Sequence, residues 1–171
     1  MSPAHAHPPK PARMPPLTDN IPEKLKSLDR WLVWRWVWKD KTGKWTKIPM
    51  SPHGGWGSTT NRITWGTYGE ALGCVKDFDG LGFVFHGTDG IVGIDLDKCL
   101  SADGTPNPWA MDILRIAATY AEVSPSGTGV KLWVLGSLPG NGRRGTISAL
   151  NGSADIGNVE IYDAGRFFTV T

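Results

Sequence analysis

Cysteine and histidine are scarce in this chain, with two and four copies in 171 residues. Cys74 and Cys99 show neither zinc-ligand spacing nor a disulfide framework, which excludes a cysteine-framed module and fits a reducing cytoplasm. Long apolar runs are missing as well. Nothing approaches the roughly 20 residues that a membrane helix needs, and the N-terminus lacks the apolar core of a secretory signal. A soluble, cytoplasmic protein with no membrane partner is therefore expected. A strong net charge is absent too: 18 Lys and Arg stand against 16 Asp and Glu, for a formal net charge of +2. Overall charge alone thus does not point to nucleic acid. There is no GxxxxGK[ST] segment, so a P-loop is excluded.

What the chain does have is uneven. Residues 21–50 hold eight Lys or Arg against three Asp or Glu, and residues 77–112 hold seven Asp against one Lys. One surface is expected to be basic and another acidic, suited to phosphate backbones and to a divalent cation respectively. Residues 1–20 are rich in Pro and Ala and read as a disordered leader, in which His5 and His7 offer only adventitious metal contacts. From Ile21 onward the pattern is that of one domain. Pro22–Leu28 reads as a short helix. Trp31–Trp38 and Trp45–Pro49 read as a hairpin, and Thr67-Tyr68-Gly69-Glu70 as a capping box opening a helix to about Val75. Gly80–Phe85 and Ile91–Cys99 read as strands of a second hairpin. Asn107-Pro108 opens a helix to about Tyr120. Ala121–Ser124 is extended and Val130–Leu135 is a strand. Residues 139–158 read as a mobile Gly-rich connection, and 158–163 with 166–171 as a last hairpin. The fold class is α+β, a mostly antiparallel sheet with helices against one face. The sequence ends inside a strand pattern, which points to the N-terminal part of something larger.

The chemistry concentrates in three pieces. In Gly93-Ile94-Asp95-Leu96-Asp97, strand alternation sends Ile94 and Leu96 to the core and sets Asp95 and Asp97 on the other face, roughly 7 Å apart. Two carboxylates so placed repel each other unless a cation lies between them, and they can hold one or two metals. The bland alternative is a pair of turn caps. In Val159-Glu160-Ile161-Tyr162-Asp163 the same alternation exposes Glu160, a third oxygen ligand for Mg2+ or Mn2+. Asp163 is its rival, better suited to the turn at Ala164-Gly165. The third piece, Ser124-Pro125-Ser126-Gly127-Thr128-Gly129 followed by Lys131, offers small residues, hydroxyls and a cation that together suit a phosphate group.

In this order the three pieces resemble the archaeo-eukaryotic primase superfamily, in its bifunctional primase-polymerase branch of phage and plasmid replication proteins. The similarity extends to Trp31-Leu32-Val33-Trp34-Arg35, Lys47-Ile48-Pro49, Ile63-Thr64-Trp65 and the ending Tyr162 to Thr171, and covers about residues 21–171. It implies a catalytic sheet of the RNA-recognition-motif type joined to an N-terminal α/β part. It also implies template-dependent nucleotidyl transfer by two metals, with Asp95, Asp97 and Glu160 as catalytic metal ligands. Ser124, Ser126, Gly127, Thr128 and Lys131 would line the triphosphate of a nucleoside triphosphate, with Arg166 helping to neutralise it. Single-stranded DNA would be the template, and a helicase domain or partner would act beside it. Where the family often carries His this chain has Lys131, which holds phosphate as a point charge but does not titrate near pH 7. His86 and His53 stand outside that motif.

Nine tryptophans, five of them around the basic hairpin, suit either stacking on single-stranded bases or plain core packing. Arg35, Lys47, Arg143 and Arg144 are the candidate nucleic-acid contacts. Two rivals to a polymerase stay open: a DNA-binding module whose catalysis has lapsed, and a metal-dependent nuclease using the same acids.

Overall fold

The computed structural model describes residues 7–140, 142–148 and 155–171. Among the described residues nine strands form two sheets: β1 (Trp31–Lys39), β2 (Lys44–Met50), β3 (Gly80–Val84), β4 (Ile91–Asp97), β5 (Ala121–Val123), β6 (Val130–Leu135), β7 (Arg143–Ser148), β8 (Asp155–Tyr162) and β9 (Phe167–Val170). The helices are α1 (Glu23–Lys26), α2 (Tyr68–Cys74) and α3 (Pro108–Ala117). The first sheet has the order β2-β1-β3-β9 and the second β5-β6-β4-β8-β7, with every pairing antiparallel. The α+β, largely antiparallel class expected from the sequence is the class that folds.

The first sheet follows from the run WLVWRWVWK, whose aromatic and β-branched residues favour a pleated, half-buried surface. Its hairpin closes with Trp38 opposite Trp45 and Lys39 opposite Lys44. Trp31, Val33, Leu81, Phe83 and Phe168 are buried together, with Leu25 of α1 and Ala71 of α2 packed into the same cluster. Burying side chains of this size contributes roughly 1.5–3 kcal/mol each, before the entropy of ordering them is set against it. The capping box is formed as its sequence foretold. Glu70 N–H donates to the Thr67 hydroxyl, and the Glu70 carboxylate accepts from Thr67 N–H. In the second sheet, Ile94, Leu96, Val130, Leu132 and Val159 pack under Trp109, Ala110, Ile113 and Leu114 of α3. That burial fixes which way the alternate residues of β4, β6 and β8 face.

Three expectations about connectivity are corrected. β3 and β4 are not a hairpin: β3 lies between β1 and β9, and β4 between β6 and β8. All five β3 positions are buried, the pattern of a central strand that needs partners on both sides. The last hairpin is absent for the same reason. β8 pairs with β4 and β7, and Asp163-Ala164-Gly165 carries the chain to the other sheet, where β9 pairs with β3. The Gly-rich stretch 139–158 contains β7 and the start of β8, which pair with each other from Arg143 opposite Ile161 to Ser148 opposite Asp155. Residues 141 and 149–154 of that stretch lie outside the described residues. α3 also stops at Ala117, short of Tyr120, because Ala118 takes a left-handed φ of 42° and returns its N–H to Leu114.

His7 to Asn20 lie along the domain. The Lys10 ammonium is 2.7 Å from Asp79, Arg13 donates to the carbonyls of Val75 and Lys76, and the His7 ring stacks on Trp38. His5 and the rest of the first six residues lie outside the described residues. Among the described residues no helix is long and apolar enough to cross a membrane.

Candidate active site

The register of the second sheet sets five charged residues in a row across one face. Glu122 of β5 stands opposite Lys131 of β6, Lys131 opposite Asp95 of β4, Asp95 opposite Glu160 of β8, and Glu160 opposite Arg144 of β7. Directly opposed side chains lie roughly 4.5–5.5 Å apart at Cβ, so the row is one electrostatic unit. The Lys131 ammonium lies 2.6 Å from Asp95 Oδ2, and Arg144 Nε lies 3.0 Å from Glu160 Oε1. Asp97, two residues along β4, shares the face with Asp95, with Asn158 of β8 opposite it.

One end of this face is closed and the other open. At the Gly93 end, Ile91, Trp133, Tyr162, Phe85 and Phe168 seal the two sheets together. A Cβ at Gly93 would come within 2.4 Å of the Phe85 ring and 2.7 Å of Phe168, so only glycine lets the sheets approach this closely. Phe168 also lies under the Lys131 ammonium, 4.4 Å from it, at the geometry of a cation–π contact. Toward Asp97 the apolar seal ends and the carboxylates emerge.

The small-residue loop abuts that open end. The Thr128 carbonyl accepts from the backbone N–H groups of Cys99 and Leu100, and a Cβ at Gly129 would lie 3.6 Å from Asp97 Cα. Within the loop the Ser124 and Ser126 hydroxyls are 2.7 Å apart and those of Ser126 and Thr128 3.1 Å apart. Gly127 adopts a φ of +73°, which a side chain would strain.

Burial and neighbouring charge set the protonation of the site. Desolvation raises the Asp97 carboxyl above its usual range, and the Asp95 charge raises it further. Lys47, on β2 of the other sheet, is lowered to about 8, first by burial and then by the charge of Lys131, while Asp95 and Asp97 pull the other way. Lys47 therefore shares the electrostatic environment of the acid pair, although it belongs to the other sheet. Desolvation also raises Glu122, which is anchored by the Tyr120 hydroxyl and by Thr171, whose N–H donates to Oε2 at 2.7 Å. Tyr162 donates its hydroxyl to Glu160, and burial pushes that phenol up to about 12.

The sequence candidates fall into three groups. Asp95, Asp97, Glu160, Lys131 and Arg144 are brought together, with Lys47 within their field and Ser124, Ser126, Gly127 and Thr128 at the open end. Arg166 is not beside that loop. Its guanidinium lies 4.9 Å from the Tyr162 ring, toward the Gly93 end of the row. Arg35 and Arg143 are apart from the acids. Arg35 stacks on Phe78 and donates to the Asp77 carbonyl, and Arg143 pairs with Ile161, on the opposite face from Arg144. Asp163 accepts from Leu138 N–H, as a loop clamp does, and His86 and His53 bind Thr88 and the Trp65 carbonyl. The residue missed from sequence is Glu122. Its signal was its place in the short Ala121-Glu122-Val123 strand, directly before the hydroxyl loop.

The acids suit a divalent cation. Among the described residues Asp95 Oδ1 is buried with no hydrogen-bond partner, which leaves a desolvated carboxylate oxygen on the face it shares with Asp97. Hard oxygen donors of this kind match Mg2+ or Mn2+. Among the described residues no three such side chains already converge on one point, so the ligand set would close around the ion.

No family model matches the chain. The chain is, however, 37% identical over 151 residues to a DNA primase-polymerase of Nitratiruptor phage NrS-1, an alignment covering 86% of this chain. It spans about a fifth of the length of that curated relative. The aligned length takes in most of the two-sheet domain, and on that similarity the chain belongs to the primase-polymerase family.

Proposed function

We propose that this domain carries out template-dependent nucleotidyl transfer in phage or plasmid replication. It would synthesise primers or extend them on single-stranded DNA from nucleoside triphosphates, with Mg2+ or Mn2+ at the acid row. The observation that carries this reading is Asp95 set directly opposite Glu160, with Asp97 next to it on the same open face, in a chain related to a primase-polymerase.

Each residue of the face has a task. Asp95, Asp97 and Glu160 present the carboxylate oxygens. Lys131 pairs with Asp95 and Arg144 with Glu160, which holds the two carboxylates in place. Tyr162 orients Glu160 through its hydroxyl. Divalent cations bound there supply a more acidic primer 3′-hydroxyl and charge stabilisation for the departing pyrophosphate. The hydroxyls of Ser124, Ser126 and Thr128 now bond one another and can turn to phosphate oxygens at no loss in hydrogen-bond count. Arg35 and Arg143, outside the row, would serve template phosphates, and Arg166 the rim of the cleft. A helicase domain or partner would supply the single strand.

One observation favours the lapsed binding module instead: Lys131 occupies an oxygen of Asp95 that a metal would use. Primer extension and de novo primer synthesis on single-stranded DNA separate the two readings. Product from the wild type, and none from Asp95→Ala/Asp97→Ala with DNA affinity unchanged, is the expected result. No product from either protein, with DNA binding intact, overturns the enzyme.

A further inference from the structure

We infer that a basic pocket between the leader and the first sheet, lined by Arg13, Arg35 and Lys76, holds a backbone phosphate of the single-stranded template. This rests on the primase-polymerase reading and gives the template a contact away from the acid row.

Two separate stretches of chain build the pocket. The leader, whose composition reads as disordered, lies against the domain and contributes Lys10 and Arg13. Strand β1 contributes Arg35, and the turn Val75–Asp77 with the residues after it contributes Lys76, Phe78 and Asp79. The cavity they line has a volume of about 510 Å3. Arg13 closes one wall, donating to the carbonyls of Val75 at 2.8 Å and Lys76 at 3.1 Å.

The charges in the pocket do not cancel. Asp79 is answered internally: its side chain is only 7% exposed, the Lys10 ammonium lies 2.7 Å from Oδ1, and the Trp36 N–H donates to Oδ2 at 2.8 Å. That leaves Arg13, Arg35 and Lys76 against Asp77 alone. Among the described residues none of these three cations pairs with a carboxylate. Charges of one sign gathered at a cleft concentrate their field on an incoming counter-ion. Arg35 is also held ready for one. Its guanidinium lies 4.6 Å from the Phe78 ring centroid and donates to the Asp77 carbonyl at 3.3 Å. A planar fork fixed in this way matches phosphate oxygens, and Lys76 adds a point charge beside it.

No residue of the pocket belongs to the charged row or to the hydroxyl loop. Its one aromatic ring, Phe78, is already covered by Arg35. The pocket therefore suits a phosphate on a passing strand rather than a base, and such contacts position a strand without reading its sequence. The triphosphate of a free nucleotide carries the same chemistry, and the experiment separates the two sources.

The test is fluorescence anisotropy of a labelled oligodeoxythymidine strand without added metal, over a series of salt concentrations, with single-nucleotide primer extension alongside. It compares wild type, Arg35→Gln/Lys76→Gln, and Lys41→Gln/Lys44→Gln, which removes the same charge from the exposed hairpin turn. The pocket variant should lose about tenfold in affinity, and its slope of log affinity against log salt should flatten by roughly 0.7, the value for one phosphate contact on a single strand. Its thermal midpoint should match wild type, and its nucleotide KM should stay within about twofold. Arg35→Lys/Lys76→Arg should keep the wild-type slope, and the hairpin-turn variant should keep the wild-type affinity. Unchanged affinity and slope in the pocket variant overturn the inference. An equal loss in the hairpin-turn variant overturns it in favour of a diffuse basic surface. A raised nucleotide KM with DNA affinity intact overturns it in favour of the free nucleotide. A wild type that binds the strand but incorporates nothing defeats the polymerase reading, while the affinities still decide the pocket.

Discussion

The two sheets use the same strand alternation for opposite ends. In the first, both sides of the central strands are filled: Trp31, Leu32, Val33 and Trp34 of β1 and every position of β3 are buried. In the second, the side under α3 is apolar, and the other is apolar only at its Gly93 end and carries Glu122, Lys131, Asp95, Glu160 and Arg144 in one row. A sheet packed on both sides gives stability and little chemistry. A sheet that leaves charges at a cleft accepts mutual repulsion and desolvation, which an ion and a substrate can relieve. The first sheet stabilises the assembly in which the second carries the candidate site.

That contrast can be broken or sharpened residue by residue. Asp95→Ala/Asp97→Ala should lower the primer extension rate by at least about a thousandfold, because a metal-dependent step would lose its ligands. The urea midpoint should fall as well, because Lys131 is left buried without its carboxylate. Trp31→Ala, in the first sheet, should act through stability alone. It should cost about 3–5 kcal/mol in urea unfolding, from a fully buried side chain that touches Tyr68 and Phe83. Gly93→Ala, at the junction, should cost about 1–3 kcal/mol and slow extension as well, since the added methyl displaces Phe85 and Phe168, and Phe168 lies under Lys131.

A smaller effect is expected from pH. Lys47 is lowered to about 8, so it is charged below that pH and neutral above it. Single-stranded DNA affinity, for which Lys47 is a candidate contact, should therefore weaken as pH climbs through about 8, by at most about tenfold per unit. Lys47→Arg should flatten that limb, because a guanidinium stays protonated. Thr67→Ala should cost only about 1 kcal/mol in thermal unfolding and leave activity alone, because it removes one cap far from the cleft.

Much of this was legible in the sequence because it is local. The Asp95/Asp97 face, the Glu160/Tyr162 face, the capping box at Thr67 and the first hairpin follow from a period of two or from a four-residue motif. What failed was non-local. Alternation says which side a residue faces and nothing about which strand lies alongside. Gly80–Val84 and Ile91–Asp97, separated by one turn, therefore looked like partners although they belong to different sheets. The same limit applies to Lys47: the sequence makes it a candidate nucleic-acid contact, but the pattern of its own hairpin does not tie it to Asp95, whose charge acts on it. Arg143 and Arg144 were read as equivalents, but β7 pairing sends one toward Glu160 and the other away from it.

The whole second sheet is an excursion inserted between β3 and β9, and those two strands are neighbours, with Val84 directly opposite Phe167. The points where the chain leaves the first sheet and returns to it are thus pinned side by side. The five strands that carry the candidate site therefore form one long closed loop whose ends are fixed by the β3–β9 pairing, and separating them from the first sheet requires breaking that pairing.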